Sequence, residues 1–326
     1  MPKLNLQFSA SRFALFLLTA GVLAAADASI TFNVIATNHH GEPVTDLQPG
    51  DLHIILETPA GKVPQPVTSL IASQGRSPLP VVILFDVVDL SFEQRGVVVR
   101  SLKESLARLP FSVPAYLYIL EESGKVLPVI PVTGAAVAIG NGGGAGVGPA
   151  LDKALETVSQ IHTTDMKVGS LRTEKVYGAL GALNVELARL AGRKQLLWIT
   201  YGIAANLHLE SVGWVDVAPR LRELGARFNA TNTAVYTVDP GLTLGTVTRD
   251  GLFILSGATG GRTFSTSDLN FVLSQMRQDG QNSYAMQFAP PATQSAKDGY
   301  HKVKVNCDRK DVKLVTQQVY LARTGK

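Results

Sequence analysis

The stretch at residues 79–91, LPVVILFDVVDLS, constrains the fold of this chain more than any other segment. An unbroken apolar run from Val81 to Phe85 leads into two aspartates, Asp86 and Asp89. An apolar run without alternation is typical of a strand that is buried on both faces, as in a parallel sheet covered by helices. Ligands of such sheets bind at the carboxyl ends of the strands. The stretch therefore predicts a central buried strand with acidic residues at the ligand edge of the sheet.

Helices and further strands alternate after this strand. Ser91 and Gln94 have the spacing of a capping box, apolar residues then recur every three or four positions, and Pro110 ends the pattern. Further strands are predicted at residues 113–121, 126–132, 196–200, 234–238 and 262–264. The strand at 126–132 is expected to be antiparallel to the one before it because the turn between them is short. Helices are predicted at 151–161, 171–191, 252–258 and 267–276, with another beginning near residue 216. The pattern predicts an α/β fold with a doubly wound, mostly parallel six-stranded sheet.

Both ends of the chain show the period-two alternation of antiparallel strands instead. At the N-terminal end, residues 59–66 are predicted to be a break between strands, because they begin at one proline and end at another. Neither end is long enough to bury a good core alone. We expect the two ends to pack together as an accessory β module, since chain termini commonly lie close together. The predicted organisation is an N-terminal β module at 29–77, an α/β domain at 78–282, and C-terminal strands at 283–326.

Residues 1–28 have the features of a signal peptide. Lys3 and Arg12 give a positive start, an apolar segment of signal-peptide length follows, and alanines stand at the expected cleavage site. Cleavage before Asp27 removes Lys3 and Arg12 and no acidic residue, so the formal net charge falls from +4 to +2, which argues against a nucleic-acid partner. No later stretch reaches the roughly 20 apolar residues of a membrane span. We therefore expect an exported protein, periplasmic or extracellular, with one cysteine, Cys307, and no internal disulfide.

Several segments together resemble a known family. They are GEPVTDL at 41–47, GRKQLLWI at 192–199, AVYTVD at 234–239 and ATGGRTF at 258–264. In this order and spacing they resemble the exported "VWFA-related" proteins of the acidobacterial type, which contain a von Willebrand factor A-type (vWA) domain. The resemblance implies strand order 3-2-1-4-5-6 and a ligand face at the top of the sheet.

The same resemblance implies a metal-ion site, from which this sequence departs. Many vWA domains hold Mg²⁺ through an Asp-x-Ser-x-Ser loop, a threonine and a later aspartate. Asp86 matches the first aspartate, but Val88 and Leu90 occupy the serine positions and cannot ligate. Tyr201 stands where the later aspartate would be, and Thr173 is a candidate for the threonine. Because Mg²⁺ requires near-ideal octahedral oxygen coordination, we expect a degenerate site and no metal cofactor.

The sequence contains none of the common catalytic motifs, such as Gly-x-Ser-x-Gly or His-Glu-x-x-His. The leading hypothesis is a non-catalytic module that binds another protein through the upper rim of the vWA-like domain. One alternative is an Mg²⁺-dependent adhesion module, and another is a hydrolase whose site is assembled from acids without a motif. The candidate rim residues are Asp86, Asp89, Ser91, Thr173, Tyr201 and Asp239.

Overall fold

The structure is a computed structural model. It describes residues 29–73, 77–87, 92–110, 112–132, 147–159, 169–209, 213–241, 249–291 and 299–322. The predicted leader and the candidate residues Asp89 and Ser91 lie outside these ranges. Within them, no helix is both long enough and apolar enough to cross a membrane.

The chain forms sixteen strands and six α-helices within the described ranges. The strands are β1 (Ile30–Thr37), β2 (Leu52–Thr58), β3 (Gly61–Gln65), β4 (Ser69–Ala72), β5 (Val81–Asp86), β6 (Ala115–Leu120), β7 (Val126–Ile130), β8 (Lys194–Ile199), β9 (Asn206–Leu209), β10 (Gly213–Asp216), β11 (Thr233–Asp239), β12 (Thr263–Ser265), β13 (Ser283–Phe288), β14 (Gly299–Cys307), β15 (Lys313–Thr316) and β16 (Val319–Ala322). The helices are α1 (Phe92–Ala107), α2 (Val147–Ser159), α3 (Gly169–Leu187), α4 (Ala218–Ala230), α5 (Asp250–Thr259) and α6 (Leu269–Gln281).

A six-stranded, mostly parallel sheet forms the centre of the α/β unit. Its strands lie in the order β7-β6-β5-β8-β11-β12, and β7 is antiparallel to its neighbour β6. Residues of β5 alternate between two cores. Ile83 and Phe85 pack with α1 and α6 on one face, while Val82 and Leu84 pack with α3, α4 and α5 on the other. The predicted burial of this strand on both faces is confirmed, since all six of its residues are buried.

Two antiparallel four-stranded sheets combine strands from both ends of the chain. One has the order β15-β1-β13-β4 and the other β16-β14-β2-β3. Their inward residues share one apolar core, in which the rings of Phe32 and Phe288 meet edge to face with centroids 5.3 Å apart. Cys307 is half-buried and packs against the same core. Each end of the chain therefore supplies strands that the other end needs to bury its apolar face.

Hydrogen bonds between side chains and backbone join these sheets to the α/β unit. Asn229 of α4 donates to the backbone oxygens of Val319 (2.7 Å) and Ala258 (2.9 Å). Gln317, which is 3% exposed, donates to Asn229 Oδ1 (3.0 Å) and accepts from the Asn33 amide (3.2 Å). Buried polar groups that are hydrogen-bonded across the boundary in this way favour one relative arrangement of the two units.

The structure corrects the sequence prediction in three places. Residues 61–65 form β3 rather than a break, because Pro64 lies on an edge strand, where its missing N–H removes no bond from the interior of the sheet. A hairpin, β9–β10, separates β8 from α4 and was not predicted. The cap of α6 is Asp268 rather than the expected Ser267, since its side chain accepts from the Phe271 amide (3.1 Å).

Lys194 at the start of β8 makes stability depend on pH. Its side chain is 2% exposed and donates to the Thr231 carbonyl oxygen, and burial lowers the pKa of its ammonium to about 8 from 10.5. Between these two values the unfolded chain binds more protons than the folded one. We therefore expect the free energy of unfolding to rise from pH 8 to pH 10, by at most about 1.4 kcal/mol per pH unit from this group. Urea denaturation of the wild type and of Lys194→Met between pH 8 and pH 10 tests this predicted rise. The variant should show a flatter profile, and an equal slope would contradict the assignment.

Candidate functional site

Three polar residues form one row at the carboxyl edge of the central sheet. Asp86 ends β5, Thr200 follows β8, and Asp239 ends β11. The register aligns them, because Phe85 and Val238 both lie opposite Ile199. With strands spaced about 4.8 Å apart, the backbones of Asp86 and Asp239 are roughly 10 Å apart.

Asp86 is held by groups from β8 and α3. Its side chain is 1% exposed, and its Oδ2 atom accepts from Thr200 Oγ1 (2.8 Å) and from Arg172 Nη2 (3.4 Å). Arg172 also donates through Nη1 to the Gly202 carbonyl oxygen (2.6 Å). A guanidinium that bridges a carboxylate and a backbone oxygen fixes the start of α3 against the end of β8.

Asp239 has a similar arrangement at the other end of the row. Its side chain is 2% exposed, and its Oδ2 atom lies 2.6 Å from Nε of Arg249. Its Oδ1 atom accepts from the Gly241 amide (2.9 Å), which is the turn chemistry expected for an Asp-Pro-Gly sequence. Tyr201 is buried nearby. Burial raises the pKa of its phenol to about 12, and the Asp239 carboxylate adds to that rise.

A second group of charges lies at the same edge, beside β6. Arg95 of α1 donates to the Val87 carbonyl oxygen (3.1 Å) and to Glu122 Oε1 (3.3 Å). Lys175 of α3 donates to the Glu122 carbonyl oxygen (3.0 Å). These contacts bring the starts of α1 and α3 to the turn between β6 and β7.

In both strand-end ion pairs the arginine is more exposed than the aspartate. The two aspartates at the strand ends are 1–2% exposed, whereas the side chains of Arg172 and Arg249 are 16% and 35% exposed. Arg95 is 16% exposed, against 20% for Glu122. In the two strand-end pairs the outer group is therefore the guanidinium, whereas in the Arg95–Glu122 pair the carboxylate is slightly more exposed.

Among the residues that the structure describes, those at the carboxyl edge do not fit the octahedral Mg²⁺ site that the family resemblance implies. Such a site needs several oxygen ligands converging on one point, but Oδ2 of Asp86 already faces a hydroxyl and a guanidinium. Arg172 would repel a divalent cation placed beside the same carboxylate. Across the described ranges, no three His, Cys, Asp or Glu residues are grouped so as to hold a metal ion.

The structure gathers some of the predicted rim residues at this edge. Asp86, Tyr201 and Asp239 lie there and are buried. Thr173, beside Arg172 in α3, is also buried. Sequence reasoning missed the groups that hold the aspartates. A signal was available only for Arg249, which stands at the start of the helix that follows β11. These missed residues are Arg172, Thr200 and Arg249.

The sequence matches no protein-family model and no curated protein sequence. Solved structures similar to it include proximal thread matrix protein 1 from the mussel byssus, whose MIDAS motif is occupied by zinc. That similarity has 8% identity and a TM-score of 0.42, and it covers 68% of this chain and 50% of the mussel protein. The chain thus spans about half the length of that protein.

Two other solved structures are similar at the same low level. One contains three N-terminal domains of the type V pili tip protein Mfa5 from Porphyromonas gingivalis, with 9% identity, a TM-score of 0.41, and coverage of 90% of this chain and 66% of that one. The other is the human COPII-coat protein Sec24c, with 12% identity, a TM-score of 0.36, and coverage of 76% and 44%. With TM-scores below 0.5, these similarities carry no inference about function.

Proposed function

We propose that this chain is an exported, non-catalytic vWA-related module that binds another protein through the carboxyl edge of its central sheet, without a metal ion. The observation that carries the proposal is the pairing of both buried aspartates with arginines, Asp86 with Arg172 and Asp239 with Arg249. The negative charges of both aspartates are thereby compensated by arginines of the same chain rather than by a bound metal ion. Export rests on the predicted leader at residues 1–28.

The exposed side of these pairs indicates the kind of partner. Arginine is enriched in protein interfaces, and an interface is favoured when opposite potentials meet. Because the guanidinium is the outer group of both strand-end pairs, a partner surface that carries carboxylates is complementary to these two arginines. The ion pairs also hold the arginines in place before binding, which reduces the entropy lost on association.

The same geometry supports a role other than hydrolysis. A carboxylate that acts as a general acid or base must reach a substrate proton. Asp86 and Asp239 are 1–2% exposed, and each is paired with an arginine and accepts a further hydrogen bond, so neither is presented to a substrate.

A capture experiment tests the proposal. The mature protein is immobilised, and exported proteins of the producing organism are passed over it in Mg²⁺ or in EDTA. We expect the same partner to be retained in both buffers and to be lost with Lys175→Glu, which reverses a charge at the edge without leaving a buried carboxylate unpaired. The matched control is Arg108→Glu, beyond the end of α1 at the opposite edge.

Three outcomes would contradict the proposal. Retention that requires Mg²⁺, together with a higher thermal midpoint in Mg²⁺ than in EDTA, would favour the Mg²⁺-dependent adhesion module. If Lys175→Glu and Arg108→Glu reduce retention of the partner equally, the partner does not bind at the carboxyl edge. Failure to retain any partner would remove the support for a protein-binding role.

A further inference from the structure

A polar crevice of about 90 Å³ lies between the antiparallel sheets and the α/β unit, and shares no residue with the carboxyl edge. One wall is the end of β1 and the turn after it, and the other is the second half of α6 with the residue before β12. Ligand sites commonly occur at such boundaries between structural units. The polar side chains that line it are those of Thr37, Arg262, Gln275, Gln278, Asp279 and Asn282.

The charges in this crevice are balanced. Asp279 is 4% exposed and accepts two bonds from Arg262, through Nε (2.8 Å) and Nη2 (3.1 Å). The Tyr236 hydroxyl donates a third bond to the same carboxylate (3.2 Å). This pairing neutralises the Arg262 guanidinium and uses its Nε and Nη2 atoms but not Nη1. A ligand therefore meets hydrogen-bonding groups rather than an uncompensated charge.

The carboxamides add both donors and acceptors. Gln275 Nε2 donates to Gln278 Oε1 (3.2 Å), and Asn282 Nδ2 donates to the Gln278 backbone oxygen (3.0 Å). Each carboxamide has two N–H groups and a carbonyl oxygen with two lone pairs, so these bonds use only part of its capacity. In either orientation of the amides, unused donors and acceptors therefore remain on the carboxamides that line the crevice.

We propose that this crevice binds a neutral vicinal diol, as found in a polyol or along one side of a sugar ring. A hydroxyl group donates and accepts at once, so two adjacent hydroxyls can satisfy the mixed groups of the crevice. A carboxylate only accepts, and would be left facing the carboxamide oxygens and the Asp279 carboxylate. This inference is independent of the protein-binding role proposed for the carboxyl edge.

NMR titration of the ¹⁵N-labelled mature protein with glycerol and with methyl glucoside tests the proposal. We expect saturable shifts of the side-chain amides of Gln275, Gln278 and Asn282. Gln278→Leu should raise the dissociation constant about tenfold or more, the loss of about 1.4 kcal/mol. Gln275→Leu should act in the same direction and serves as a second variant if the first does not fold.

The matched control is Gln281→Leu, which makes the same change on the same helix but does not line the crevice. It should bind both probes as the wild type does, and acetate should produce no saturable shift. The proposal is overturned if neither probe gives saturable shifts, if acetate binds in their place, or if Gln281→Leu weakens binding as much as Gln278→Leu.

Discussion

The Arg172→Met variant is expected to unfold with a free energy about 3 kcal/mol below that of the wild type, measured by urea denaturation at pH 7. The Asp86 side chain is 1% exposed, and the substitution removes the guanidinium 3.4 Å from its Oδ2 atom. Removing one partner of a buried ion pair costs far more than removing an exposed pair, because the remaining carboxylate is not resolvated by water.

Two controls separate this effect from a general loss of packing. Arg220→Met removes a guanidinium whose partner Glu174 is 60% exposed, and should cost less than about 1 kcal/mol. In an Asp86→Asn background, which retains an oxygen for the Thr200 hydroxyl, Arg172→Met should also cost less than about 1 kcal/mol. An equal cost in both backgrounds would show that Arg172 acts through its bond to Gly202 rather than through Asp86.

The central sheet could be predicted because its signal is local. The apolar run at 81–85 needs burial on both faces, and the structure divides it between two cores. The exact bounds of elements were less predictable. The apolar spacing of α3 continues to Leu190, whereas the helix ends at Leu187 and the next residues form turns. The pattern of apolar side chains indicates which residues are buried. The end of a helix is instead set by the last of its backbone hydrogen bonds.

The candidate site was predictable in position but not in composition. A strand that ends in an aspartate places Asp86 at the ligand edge by topology alone. Its partner Arg172 lies 86 positions away in the sequence, and no periodic pattern connects the two. The pairing depends on α3 beginning over the end of β5, which follows from the assembled sheet. For the same reason, the prolines near Pro64 predict a break in the chain, because the sequence does not show that β3 lies at the edge of its sheet.

The Gly251→Ala variant is expected to lose about 3 kcal/mol of stability, at the upper end of the usual cost of overpacking. A Cβ atom at this position in α5 would lie 2.2 Å from the Ile203 carbonyl oxygen and 2.6 Å from its Cγ2 atom. The helix cannot simply move away, because the Gly251 amide donates to that same oxygen (3.1 Å). Urea denaturation measures the loss.

The same substitution at Gly178 in α3 is the matched control and should have the opposite sign. A Cβ atom there meets nothing within 4 Å, so alanine should raise the free energy of unfolding by up to about 1 kcal/mol through its better helix propensity. Gly251→Ala should also weaken partner capture, because Ile203 follows Tyr201 and Gly202, and the Gly202 oxygen anchors Arg172. If the two variants change stability alike, the close approach of α5 to the segment after β8 does not hold the carboxyl edge in place.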